Sequence, residues 1–412
     1  MGNEYRYNHY VPEWYQKRFI PDDESVKSLY YLDLKPETIT IKNTNISYKT
    51  EPLTWWGPSK CFAQQDLYTT QLGSKRSTEI EELFFGNIDR NGREAVEYFS
   101  NFTHPSVNQT AFNNMLIYLS TQKLRTLKGL NWLAEIVGIS DQNKLLDKMM
   151  ELRQLYSAIW TECVWLIADA SKAETKFIIS DHPVTVYNRR CGPKSQWCRG
   201  FNDPEIWLHG THTLFPLSLD KILILTNLSW VRNPYQNPVE NRPHPDPFRH
   251  AMFKFTDIQT LRYLDEQEVR EINFIIKNRS LRYIAAAKKE WLYPDQHVSK
   301  SDWSSYGDGY LLMPDPRPIH VGGEITMIHS DGTFTSFDEY GRRPWHKDYN
   351  KESRTFEESE TLDRFKGEFA RLYGPKRRGR ICLIPQVEAE EDNDKFHQYH
   401  LGLEKKPKRK VK

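Results

Sequence analysis

The spacing of apolar residues changes twice along the first 290 residues, and this change constrains the fold more than any other feature. Residues 26–50 alternate apolar and polar side chains, which predicts two strands around a turn at Lys35-Pro36-Glu37. The spacing then becomes helical, with Ser77 or Thr78 as the N-cap of the first helix. The predicted helices then cover residues 93–101, 108–136 and 144–170.

Strand-like spacing returns in residues 175–187 and 212–227, before a predicted helix over 266–289. Strands, then helices, then strands, without strand–helix alternation, are typical of α+β folds with antiparallel sheets. We therefore expect an α+β fold in which a helical core packs on a mainly antiparallel sheet. Residues 1–295 would form this main domain.

The composition changes beyond residue 300. A hairpin is predicted around Asp331-Gly332, followed by a charged helix over 354–373. We interpret 300–375 as a small hairpin-plus-helix appendage. Residues 376–412, which contain the runs KRRGR, EAEEDND and KKPKRKVK, are predicted to be a charged and disordered tail.

Composition and charge exclude several classes of protein. The formal net charge is only +2, so the whole chain is not a general polyanion binder. No apolar run reaches the ~18 residues of a membrane span, and the first ten residues lack a signal-peptide core. Five cysteines, an odd number, do not suggest a disulfide framework. A cytoplasmic protein without a membrane partner is expected.

One predicted helix carries polar residues inside its apolar stripe. Apolar side chains hold both ends of the stripe in residues 110–133, whereas Gln122 and Arg125 occupy its middle. A guanidinium that faces the core must find an anion or several acceptors, because it keeps its proton. Arg125 is therefore either an anion-binding residue, a member of a structural ion pair or a side chain that reaches the surface.

The segment FIISDHPVTVY contains a second polar group. Pro183 interrupts a strand after Ser180, Asp181 and His182, because proline cannot donate a hydrogen bond within a central strand. Such an interruption can present polar side chains at a functional site, but it is also an ordinary turn signal.

The opening segment YRYNHYVPEWYQKRF has the aromatic-rich composition of a protein interior. Six aromatic residues stand with His9 and Pro12 in fifteen positions, although chain ends are usually polar. We expect the segment to enter a buried polar site where His9 meets Gln122, Arg125 and Asp181. His9 would be a general base or acid there, or simply a core residue.

Five motifs in order carry a resemblance to a known family. HYVPEWYQKRF, CFAQQDLYT, TQKLRT, ISDHPV and FPLSLDKILIL together resemble the bacterial family named domain of unknown function 4238. The resemblance covers about residues 5–290 and implies no reaction.

The resemblance also implies which residues belong to the recurring pattern of the family. They are His9, Tyr10, Pro12, Asp66, Gln122, Arg125, Ser180, Asp181 and Pro183. Position 182 commonly carries Asn in that pattern, so we assign no essential role to His182. Tyr10, Asp66, Gln122 and Ser180 are the predicted substrate-binding residues.

A metal site is not expected. Cys191, Cys198, His209 and His212 have spacings that do not match the usual paired cysteines of structural zinc sites. Nucleotide-binding glycine motifs and the common hydrolase and zinc-protease motifs are missing, so no cofactor is predicted.

Two basic clusters suggest nucleic acid as a partner. Their predicted contact residues are Lys376, Arg377, Arg378, Lys408, Arg409 and Lys410. The acidic run between the clusters could instead neutralise them.

Three functional hypotheses follow. In the first, His9, Arg125 and Asp181 form the catalytic site of a metal-independent hydrolase or nuclease-like effector that acts on RNA or another phosphorylated substrate, such as a toxin or an antiphage defence protein. In the second, the same pocket binds a phosphorylated or carboxylated ligand through Arg125 without chemistry, or the protein binds nucleic acid. In the third, these residues form a polar network that only stabilises the fold.

Overall fold

The computed structural model describes most of the first 307 residues and selected segments beyond them. The described residues are 7–22, 25, 27–40, 47–68, 70–72, 75–77, 84–102, 108–139, 141–161, 163–198, 203–206, 208, 211–226, 258–307, 324–338, 342–349, 351–352, 356, 359–360, 363–364, 366–367, 370–371, 378–379 and 394–403. Lys376, Arg377, Lys408, Arg409, Lys410 and His209 lie outside them.

Helices make up the middle of the described chain. They are α1 (Glu13–Lys17), α2 (Gly86–Ser100), α3 (Gln109–Arg125), α4 (Leu127–Val137), α5 (Gln142–Thr161), α6 (Glu266–Arg279) and α7 (Asp394–Leu403). Asn108 caps α3 and Asp265 caps α6 with side-chain oxygens that accept backbone N–H groups, as expected at helix starts.

Strands flank this helical region on both sides in sequence. The N-terminal strands are β1 (Tyr7–His9), β2 (Leu29–Asp33), β3 (Thr38–Thr40), β4 (Ser47–Lys49), β5 (Leu53–Trp56), β6 (Ala63–Gln65), β7 (Thr70–Leu72) and β8 (Lys75–Ser77). The later strands are β9 (Val164–Asp169), β10 (Ile179–Ser180), β11 (Thr185–Asn188), β12 (Thr211–Pro216), β13 (Lys221–Thr226), β14 (Ile258–Tyr263), β15 (Tyr283–Ala286), β16 (Glu324–Ile328), β17 (Phe334–Asp338) and β18 (Arg378–Gly379).

Two larger sheets organise these strands. The six-stranded sheet has the order β11-β12-β13-β9-β14-β18 and is antiparallel apart from the parallel β9–β14 pair. The four-stranded sheet has the order β10-β15-β2-β5 and is antiparallel throughout. Buried apolar side chains from Tyr10 to Tyr306 form one cluster between helices and sheets. The predicted α+β class and the mainly antiparallel sheet are confirmed.

Several predicted boundaries were wrong. Ser77 ends strand β8, and residues 164–169, predicted as helix, form the buried strand β9. A continuous apolar run is compatible with a fully buried strand as well as with a helix, and residues 164–169 form the strand. The last predicted helix ends at Arg279, and the chain then returns as β15.

The C-terminal region combines confirmed and unexpected elements. β16 and β17 form the predicted hairpin, with Gly332 at φ +81°, where a left-handed backbone favours glycine. The described residues within 354–373 are helical. In the segment predicted as a charged tail, β18 pairs with β14 and α7 forms a helix.

Candidate functional site

A buried polar cluster is assembled where α3 meets α4. α3 ends at Arg125, and the extended backbone of Thr126 starts α4, with the Thr126 Oγ1 accepting the Gly129 N–H at 3.1 Å. The sequence around this junction, KLRTLK, therefore places Lys123 and Lys128 on either side of a tight turn. Both lysines are buried, with 6% and 2% of their surface exposed. Buried lysines are rare unless paired, so their partners define the site.

Lys123 donates to three acceptors. Its ammonium lies 2.7 Å from Asp203 Oδ2, 2.8 Å from His182 Nε2 and 3.3 Å from the Val184 carbonyl. All three N–H bonds of an ammonium are thereby used. Because His182 Nε2 accepts from Lys123, His182 Nδ1 carries the proton and donates to Thr126 Oγ1 at 2.6 Å. The helix junction and the interrupted strand are thus joined by His182.

Lys128 has a different set of partners. Its ammonium donates to Asp203 Oδ1 at 2.7 Å and to the Arg279 carbonyl. Among the described residues, these are the two acceptors recorded for its three N–H bonds. Lys128 therefore retains one donor for a further group.

A small cleft opens beside this donor. It is lined by Lys123, Lys128, Trp132, Tyr156, His182 and Asp203, with Pro204 to Ile206 at its rim. The cavity volume is about 20 Å³, which is enough for about one water molecule or one small polar group. The lining thus combines charged groups with two aromatic side chains.

Burial and charge shift the titration of these groups. Burial lowers the pKa of Lys128 to about 8, and the nearby Lys123 and Arg279 add to this effect against the attraction of Asp203. Burial and the Lys123 cation lower the pKa of His182 to about 3, so the imidazole is neutral at pH 7. Although burial opposes ionisation, the two lysines hold the pKa of Asp203 well below its usual range. Lys128 is thus a cation that can lose its proton close to neutral pH.

Arg125 is engaged by a carboxylate on α2. Its guanidinium makes two hydrogen bonds to Asp89, at 2.7 and 3.0 Å, and its Nε donates to Gln122 Oε1 at 2.7 Å. Gln122 in turn donates to the carbonyl of Tyr10 at 2.7 Å. The side chain of Arg125 is 1% exposed, and that of Asp89 is 24% exposed. This arrangement is an ion pair that also anchors the opening segment.

Asp181 binds backbone amides. Its carboxylate accepts the N–H groups of Leu281, Arg282 and Tyr283 at 2.9, 2.6 and 2.8 Å, in the turn between α6 and β15. Burial raises the pKa of Asp181, and the three amides and Lys128 oppose this change. The neighbouring Ser180 Oγ accepts the His182 N–H at 3.2 Å.

The opening segment is largely buried as expected, and Tyr10 is among its buried residues. Tyr10 is 2% exposed, and its phenol lies within electrostatic range of Asp181. His9 is nearer the surface, where Nε2 lies 3.2 Å from the Ser59 carbonyl and 3.7 Å from Glu13 Oε1. Asp66 is half-buried and has a positive φ of 58°.

The predicted site residues are therefore brought together only in part. Gln122, Arg125 and Tyr10 share one chain of hydrogen bonds, whereas the recorded contacts of Asp181 and His9 are to other groups. The joint catalytic role of His9, Arg125 and Asp181 remains a prediction.

A metal site and a larger groove are the two alternatives to the cleft beside Lys128 as a functional site. Within the described residues, no group of three or more histidine, cysteine or acidic side chains is arranged to hold a metal ion. A groove of about 1,140 Å³ between Trp14 and Trp291 is lined by several cations. Two of these cations already pair with acids, Arg18 with Glu97 and Lys176 with Asp220.

Among the residues that the structure describes, no helix is both long and apolar enough to cross a membrane.

Sequence reasoning missed Lys123, Lys128 and Asp203. A signal for the lysines was present, because both stand within the largely apolar stretch that contains Arg125. Asp203 lies in an irregular segment rich in polar residues, where no spacing pattern distinguishes it.

Comparison with known proteins gives one match. Residues 144–290 match the family model described as "Protein of unknown function (DUF4238)", which confirms the resemblance over that part of the chain. The match includes Ser180, Asp181 and Pro183, and it does not extend to α3. No curated protein and no solved structure matches the chain.

Proposed function

We propose a function from the cleft itself, because the DUF4238 family model that residues 144–290 match names no activity: metal-independent hydrolysis of a phosphorylated substrate, with RNA as the candidate. One observation carries the proposal, namely the buried Lys128 ammonium, which lines the cleft and uses two of its three N–H bonds on Asp203 and the Arg279 carbonyl. A preorganised donor of this kind stabilises negative charge that develops in a transition state.

Each member of the cluster has a role in this proposal. Lys128 directs its remaining N–H to the leaving-group oxygen and donates that proton as a water molecule attacks phosphorus and the P–O bond breaks, since its pKa of about 8 suits an acid near neutral pH. Asp203 orients Lys128, and Lys123 and His182 hold Asp203 in place. The proposal moves the anion-stabilising role from Arg125 to Lys128, because Asp89 and Gln122 already occupy the Arg125 guanidinium.

RNA is supported as the substrate by the basic clusters that include Arg378 and Lys408 to Lys410. An enzyme that cleaves RNA in the cytoplasm would act as a toxin or as an antiphage defence protein. A second candidate function is binding without chemistry. The small volume of the cleft favours it, since a cavity of about 20 Å³ admits a phosphate or carboxylate oxygen rather than a whole nucleotide.

We predict that Lys128→Met reduces RNA cleavage about 100-fold or more, because it removes the proton donor and its positive charge together. The assay uses labelled RNA in a buffer containing EDTA, which should leave the wild-type rate unchanged. The rate should fall as the pH rises above about 8, where Lys128 loses its proton.

The matched control is Lys144→Met, at an exposed lysine on α5. Growth and total RNA integrity in cells that express each variant extend the assay to the cellular role. Phosphate binding that depends on Lys128 without RNA cleavage would identify a binding protein. Intact RNA and unaltered phosphate binding in every variant would leave only the structural role of the cluster.

A further inference from the structure

Two cysteines form a pair that the proposed function does not use. Cys191 follows β11, and Cys198 lies seven residues later in a tight loop, held by the Ser195 N–H to Gly192 carbonyl and Cys198 N–H to Ser195 carbonyl bonds, both 2.9 Å. The Cys198 Sγ lies 3.9 Å from the Cys191 carbonyl oxygen and 3.5 Å from the Gly192 carbonyl oxygen. Both side chains are buried, with 4% and 3% exposed. The loop therefore brings the Cys198 sulfur against the backbone of Cys191.

A buried arginine faces this pair. Arg279, at the end of α6, donates to Cys198 Sγ at 3.3 Å and to the Cys191 carbonyl at 2.6 Å. The guanidinium also lies 4.9 Å from the centre of the Trp303 ring, which covers it. A cation next to a sulfur stabilises its thiolate. In agreement, the Cys191 hydrogen bond and Arg279 lower the pKa of Cys198 to about 6, against burial.

We propose that Cys191 and Cys198 are a redox-active dithiol that a hydroperoxide converts into a reversible disulfide, with Cys198 as the reacting thiolate and Cys191 as the resolving thiol. The Cys198 sulfur attacks the hydroperoxide, the O–O bond breaks, and the products are a sulfenic acid and an alcohol or water. The Cys191 sulfur then attacks the sulfenic sulfur and releases water. Two electrons pass from the two thiols to the hydroperoxide, and a small dithiol can return them.

The other described cysteines lack this setting. Burial raises the pKa of Cys61 to about 12, and Cys163, just after α5, donates to the Ile159 carbonyl in that helix. Both therefore serve as internal controls for oxidation of an ordinary buried thiol. The inference is independent of the proposed function, because its readout is the covalent state of the two sulfurs.

The test uses the full chain with Cys382→Ser, which removes the fifth cysteine. After brief treatment with hydrogen peroxide and blocking of free thiols, trypsin cuts after Arg190, Lys194 and Arg199. The disulfide then appears as a linked pair of peptides, 191–194 with 195–199, that dithiothreitol separates. We expect this pair to form at least about tenfold faster than Cys61 or Cys163 is oxidised.

Two variants assign the roles. Cys191→Ser should leave Cys198 as a sulfenic acid that a dimedone probe captures, because the resolving thiol is gone. Arg279→Lys should slow formation of the linked pair about tenfold. The proposal is overturned if the peptides remain unlinked, or if Cys61 and Cys163 react as fast as Cys198 in the folded wild-type chain.

Discussion

His182 connects the strand interruption to the helix junction as a neutral imidazole. Its two nitrogens are taken by Lys123 and Thr126, and Asp203 lies 3.2 Å from Nε2. Protonation would place a third cation beside two buried ammonium groups, which explains the low pKa of the ring. An asparagine at this position would keep polar contacts without the titration.

We predict that His182→Asn makes the free energy of unfolding less dependent on pH. The pKa of His182 is about 3 in the folded chain and about 6.5 when unfolded, so the unfolded state binds more protons between these values. The wild type should thus lose about 1 kcal/mol per pH unit from this residue as the pH falls from 6.5 towards 3. Urea denaturation of both chains across that range measures the difference, and parallel pH profiles would contradict the assignment.

Arg125 shows what a single sequence can reveal about a residue. Its position in an apolar helix stripe required a buried partner, and that requirement is met by Asp89. The partner itself was not predictable, because the contact joins two helices and depends on how they pack. Lys123 and Lys128 were overlooked because lysines beside an apolar stripe usually reach solvent.

At the scale of elements, the α3–α4 junction determines where the cleft lies. The turn is tight because Gly129 lets α4 approach the end of α3. A Cβ atom at residue 129 would lie 2.3 Å from the Lys123 carbonyl oxygen and 2.6 Å from that of Leu124. These are backbone atoms, so a side chain there requires the two helices to separate.

We predict that Gly129→Ala destabilises the chain by about 2–3 kcal/mol, although alanine favours helix by about 1 kcal/mol over glycine. The steric clash outweighs the helix propensity because no flexible side chain can move aside. Asn131→Ala, on the exposed face of the same helix, is the control and should change stability by less than about 0.5 kcal/mol. Chemical denaturation compares the two, and an alanine variant as stable as its control would rule out the close approach.

The predictions of helices and strands were correct where the spacing of apolar residues was unambiguous. The β16–β17 hairpin, the strand character of residues 212–227 and the break at Pro183 were expected from apolar spacing and turn residues. The strand β9 was not, since VWLIAD lacks alternation when both faces of a strand are buried. Its parallel pairing with β14 is a tertiary choice that local spacing does not encode.

At the scale of the whole molecule, the Arg125 network fastens the N-terminal segment to the helices. We predict that Arg125→Met costs about 3–5 kcal/mol, because it leaves Asp89 without its partner and frees Gln122. The exposed Arg90→Met on the same helix as Asp89 should have almost no effect. Thermal and urea unfolding of both variants provide the measurement. A well-folded Arg125→Met chain that has lost activity would instead restore the catalytic role first assigned to this arginine.

The four-stranded sheet has a consequence for how the protein is made. β2 pairs with β15, and Asp33 bonds Arg282, 249 residues further along the chain. At about 5–20 residues per second, a ribosome needs roughly 10–50 s to deliver that partner. During this interval the aromatic strand Leu29–Asp33 leaves the exit tunnel with one of its neighbours still untranslated. Nascent chains of this protein are therefore expected to remain bound to chaperones until α6 and β15 leave the ribosome.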